Sequence, residues 1–163
     1  MTTLRTLITL ILLLVTLLAS GQINDQNVRK KILKNGIINK LFITGNWKKD
    51  GQSEGQFIYL GKLKNKTGRI FKILTASWYW GISPRATSRI LVYNQKNEYV
   101  GNYYLTMTYD LPSKLQNGKL IFYNAEESDC DKKVTTTINL VNGLPIHFFR
   151  KCKGEFGDIY TFE

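Results

Sequence analysis

Along most of this chain apolar residues recur at every second position, in short runs that end at breaks rich in Gly, Asn and Lys. The runs Leu41–Thr44, Phe57–Leu63, Arg69–Trp80, Thr87–Tyr93, Tyr99–Tyr109, Lys119–Tyr123, Val134–Val141, Ile146–Cys152 and Asp158–Phe162 are rich in aromatic and β-branched residues, the composition of strands. Between them lie KDGQSEG, KNKTG, GISP, NQKNE, DLPSKLQNG, EESDCDKK, VNG and KGEFG, which carry turn chemistry. Over Tyr99–Tyr109 the alternation sets Tyr103, Leu105 and Met107 on one face and Asn102, Thr106 and Thr108 on the other, so one face is buried and the other mostly wet. One segment has a different period. Asp25–Gly36 places Val28, Ile32 and Leu33 at helical spacing between an acceptor for free first-turn amides and a glycine stop. It predicts a short amphipathic helix with Arg29, Lys30, Lys31 and Lys34 toward water. The expected fold is all-β: an antiparallel meander of about eight to nine strands closed as a barrel, with a β-sandwich as the alternative, preceded by this helix.

The start of the chain follows neither period. Residues 1–21 run from Arg5 through an apolar stretch, Leu7 to Leu18, to the small residues Ala19, Ser20 and Gly21, the order of a secretory signal peptide. The stretch is shorter than the ~20 apolar residues that a spanning helix needs. The expectation is therefore an exported protein, periplasmic or extracellular, cut near Gly21. Residues 22–163 then form a single β-barrel-like domain with no transmembrane segment in the mature chain. Export also bears on the two cysteines, Cys130 and Cys152, which are expected to form one disulfide. A hairpin around Asn142-Gly143 would pair Leu140 with Leu144, Ile138 with Ile146 and Thr136 with Phe148. Lys132 then faces Cys152, and Cys130 stands one diagonal step away, at about 7 Å between Cα atoms.

Charge is uneven. From residue 22 to 72 there are twelve Lys/Arg against three acids, net +9, whereas from 73 to 163 ten against nine leave +1. The field points to an anionic partner or surface. Lys48, Lys49, Lys62, Lys64, Lys66, Arg69 and Lys72 bracket the first hairpins, yet no nucleic-acid motif accompanies them, so no nucleic acid is expected. His147 is the only histidine, and no nucleophile elbow accompanies it. One His and two bridged Cys do not supply a zinc ligand set. Glu126, Glu127, Asp129 and Asp131 read as a solvated turn. No catalytic residue, metal or cofactor is assigned.

Trp78-Tyr79-Trp80 is the most unusual local pattern. In a strand Leu74, Ala76, Trp78 and Trp80 share one face, while Phe71, Ile73, Thr75, Ser77 and Tyr79 share the other. Two readings stand: core followed by a turn, or a cavity lined by the tryptophans with Arg85 at its rim. On the second, the candidate ligand-binding residues are Trp78, Trp80, Arg85 and Tyr103. Leu41-Phe-Ile-Thr-Gly45-Asn46-Trp47, a Gly-x-Trp on the first strand after a short helix, resembles the lipocalins and related calycins. The resemblance implies a barrel whose base is closed by Trp47, with a late-strand arginine, Arg150 by position, packed over it. The function expected is binding or interaction: an exported domain holding an apolar, amphipathic or anionic envelope ligand. A carboxylate-based secreted hydrolase and a protein-interaction or inhibitor domain are the alternatives, and the sequence favours no enzyme.

Overall fold

The computed structural model describes residues 25–48, 52–81 and 85–163. The expected signal peptide, Lys49 and the Pro84 break lie outside them. Helix α1 (Asp25–Asn35) forms where the spacing of Val28, Ile32 and Leu33 predicts it. It ends at Gly36, whose φ of 65° lets its amide reach back to the Ile32 carbonyl at 3.0 Å.

Five strands follow as an antiparallel meander in sequence order: β1 (Leu41–Gly45), β2 (Glu54–Lys64), β3 (Ile70–Trp80), β4 (Arg85–Asn94) and β5 (Tyr99–Leu105). A second sheet holds β6 (Lys114–Gln116), β7 (Lys119–Tyr123) and β8 (Thr135–Asn139). A hairpin of β9 (His147–Lys153) and β10 (Phe156–Thr161) makes the third. All nine expected strands are present. The short β6 was hidden in a segment that reads as pure turn, and β5 stops at Leu105 because Thr108–Asp110 folds into a 3-10 turn.

The two faces of the five-stranded sheet are covered differently. Ile32 and Leu33 of α1 pack on Phe57, Tyr59, Leu74, Ala76, Leu91 and Tyr93. On the other face Ile73, Ile90, Val92, Tyr103 and Leu105 meet Leu120, Phe122, Leu140, Phe148 and Tyr160 of the smaller sheets. A bulge in β2 between Tyr59 and Gly61 switches the phase, so that Leu63 joins this inner core while Phe57 and Tyr59 face the helix.

The sheets are not closed into a barrel. A single bridge, Tyr103 to Phe162, joins β5 to the end of the hairpin, with Asn102 and Glu163 exchanging backbone bonds of 2.8 and 2.9 Å beside it. The sandwich alternative fits this arrangement.

The register expected around Asn142-Gly143 does not form. A turn is present, with the Gly143 amide on the Leu140 carbonyl at 3.0 Å, but β8 pairs with β7, Ile138 facing Leu120, and β9 pairs with β10, Phe148 facing Tyr160. Each strand has a better partner than its neighbour across the turn, because these pairings send Leu120, Phe122, Phe148 and Tyr160 into one core. The disulfide Cys130–Cys152 nevertheless exists, at 4.5 Å between Cα atoms. Its ends are brought together by the Asp131 amide on the Cys152 carbonyl (3.0 Å) and by Asn124, whose amide nitrogen donates to both the Asp131 and the Cys152 carbonyls.

Candidate functional site

The inner face of the five-stranded sheet changes character halfway along its strands. Toward the β2–β3 turn it is wholly apolar, with Phe71, Ile73, Ile90 and Val92. Toward the other end the same rows become Thr75, Ser77 and Tyr79 on β3, Gln56 on β2 and Ser88 on β4. Ser77 and Ser88 are cross-strand partners, only 4% and 0% exposed, with hydroxyls 3.2 Å apart. The Thr75 hydroxyl donates to the Ile58 carbonyl at 3.3 Å. Polar side chains cost free energy in an inner layer unless they are bonded, and these hydroxyls meet that condition through each other and the backbone.

This half of the face is not covered. A cleft of about 450 Å³ opens there. Gln56, Ile58, Thr75, Ser77 and Tyr79 form its floor and Leu41 one rim. Thr108, Tyr109, Leu111, Pro112, Ser113, Tyr123, Asn124 and Ala125 form its walls. Three tyrosine rings, four side-chain hydroxyls of Ser and Thr, two carboxamides and a set of aliphatic groups line one space. No charged side chain is among the described lining residues.

The walls are held from behind. Asp110, within the Thr108–Asp110 turn, accepts from the Arg150 guanidinium at 2.9 Å and from the Met107 amide at 3.2 Å. Arg150 is 1% exposed and also donates to the Tyr109 carbonyl at 3.4 Å. Burial pushes the Asp110 carboxyl up from the ordinary carboxylate range, and the guanidinium opposes that shift. The Ser113 amide is fixed on the Ile121 carbonyl at 2.9 Å. Asn124, on the opposite wall, is tied to the disulfide segment by the bonds already described.

The candidates read from the sequence lie elsewhere. Trp78 is on the helix-covered face, edge-on to Phe57 at 5.8 Å between centroids, its indole N–H bonded to the Asp25 carboxylate. Trp80 shares that face, is 38% exposed and stands opposite Arg85, which is exposed at the start of β4. Tyr103 is buried between Phe148 and Phe162, and its hydroxyl donates to the Pro145 carbonyl at 2.6 Å. None of the four lines the cleft. Trp47 donates to the Gly81 carbonyl at 3.1 Å, while Arg150 is engaged with Asp110. His147 is exposed beside Thr161.

Tyr109, Tyr123 and Asn124 carry no local signal in the sequence. The floor did carry one: Thr75, Ser77 and Tyr79 interrupt the apolar row begun by Phe71 and Ile73. Comparison with protein-family models, with curated proteins and with solved structures finds no match for this chain.

Proposed function

We propose that this is an exported binding domain that holds a small, uncharged, amphipathic ligand in the tyrosine-lined cleft. The observation that carries the reading is the buried switch from Phe71 and Ile73 to Thr75, Ser77 and Tyr79 on one face of one strand, at the point where the covering layer withdraws. The Thr75 and Ser77 hydroxyls are already bonded within the sheet, so the polar groups at the half-buried Gln56 and Tyr79 are the ones through which a ligand with its own donors and acceptors is held. Tyrosine rings add flat apolar area with a polar tip. Among the described lining residues there is no cation, which favours the amphipathic over the anionic ligand class. The described lining residues also include no carboxylate, so they supply no acid pair of the kind a carboxylate hydrolase uses. The apolar leader, residues 7–18, supports export, with cleavage near Gly21.

Native mass spectrometry of the protein recovered from its own exported fraction tests the reading. The expected result is a bound neutral molecule that is lost when Tyr79→Ala empties the floor. A ligand-free mass for the wild-type chain would overturn it.

A further inference from the structure

We infer that the corner between α1 and β1 is a docking surface for an anionic phospholipid bilayer. Ile37 and Ile38 form this corner and are 45% and 57% exposed. They lie between Lys34, in the last turn of α1, and Lys40, at the entry to β1. The segment is held in place: the Asn39 amide donates to the Tyr59 carbonyl of β2 at 2.9 Å. The Ile38 methyl end lies near the inner-core side of Gly61, beside Leu115, while Lys62 and Lys64 project from the opposite face of β2. Lys62 and Lys64 are exposed on β2, and Lys62 stands directly opposite Lys72 of β3.

Like charges facing each other across a ladder repel, and among the described residues neither lysine has an ion-pair partner, Lys72 donating instead to the Asn97 carboxamide. The sequence has no acid between Asp25 and Asp50. Among the described residues the ion pairs are Lys132–Glu126, Arg150–Asp110 and Lys151–Glu155, and none involves Lys34, Lys40, Lys62 or Lys64. An anionic surface is complementary to this arrangement. The two isoleucines decide which one. On a phosphodiester chain they would remain in water, whereas at a bilayer they enter the acyl boundary while the lysines sit at headgroup level. The surface shares no residue with the cleft lining, so it stands apart from the ligand reading above.

The test is co-sedimentation of the full chain with vesicles of phosphatidylcholine alone or mixed with phosphatidylglycerol, at low and high salt. Neutral vesicles register whatever the apolar run Leu7–Leu18 contributes; the readout is the gain when the anionic lipid is added. Wild type is expected to show a gain that shrinks with salt. Lys34→Gln with Lys40→Gln should lower it by about 25-fold, at about fivefold per lysine. Ile37→Ser with Ile38→Ser should lower it by about tenfold or more with the charge unchanged. All four residues are exposed, although Lys40 lies over the Phe42 ring at 5.5 Å and Ile38 close to Gly61, so the urea midpoint of each variant is measured alongside to show that the fold is kept. No gain on adding phosphatidylglycerol would overturn the inference. So would a gain unaffected by the isoleucine pair, since any polyanion would then serve.

Discussion

The two faces of β3 are built from adjacent residues and end in opposite states. On one, Leu74, Ala76 and Trp78 continue a single apolar row that α1 covers, and Trp78 closes it with an indole bond to Asp25. On the other, Phe71 and Ile73 are covered by the smaller sheets, but Thr75, Ser77 and Tyr79 stand under an open cleft. The difference lies in what the partner layer can reach. A helix lying along the sheet buries Leu74 and Ala76 and half-buries Trp78, and the row opens to solvent only at Trp80. The smaller sheets turn away at the 3-10 turn, leaving the last positions of the inner face to tyrosines, hydroxyls and carboxamides. The covered face serves stability, and the uncovered one is available to a ligand.

Substitutions on each face should separate these roles. The largest effect is expected behind the cleft wall. Asp110→Ala leaves the Arg150 guanidinium buried without its partner and should cost about 3–5 kcal/mol, measured by urea unfolding. Amide exchange at Thr108–Ser113 should rise along with it. On the helix face, Leu74→Ala removes a fully buried side chain and should cost about 2–5 kcal/mol, with the ligand seen by native mass spectrometry retained. Trp78→Phe should cost about 1–3 kcal/mol in the same urea assay, because Asp25 loses its donor and its other oxygen, Oδ1, already has no partner among the described residues. A cost near zero would mean that the tryptophan packs without its bond contributing. Tyr79→Ala should reverse the pattern, with about 1 kcal/mol or less of stability lost and the ligand gone.

The smallest effect is one of pH. The folded Asp110 carboxyl titrates above its unfolded value, so its contribution to stability is fully present below the ordinary carboxylate range. It is lost as pH rises through the folded value. Asp110→Asn removes that term. The stability difference between wild type and this variant should therefore change across that acidic window and be flat above it. A constant difference throughout would show that the carboxyl titrates alike folded and unfolded.

The sequence by itself determined the elements. Periodicity placed α1 and nine of the ten strands, because each segment must present one apolar side wherever it packs. It also set Trp78 and Tyr79 on opposite faces, and paired Cys130 with Cys152 as the only two thiols. Tertiary structure alone decided which strands became neighbours. The pairing of β8 with β7 and of β9 with β10 depends on how four aromatic and aliphatic side chains share one core, and a turn of three residues cannot report that. It also decided where the layers fail to meet. Tyr109, Tyr123 and Asn124 are far from Tyr79 along the chain and converge only because Arg150 holds the turn at Asp110 and the disulfide segment holds Asn124. A cleft is space left between elements, and such space follows from packing at a distance rather than from any local run of residues.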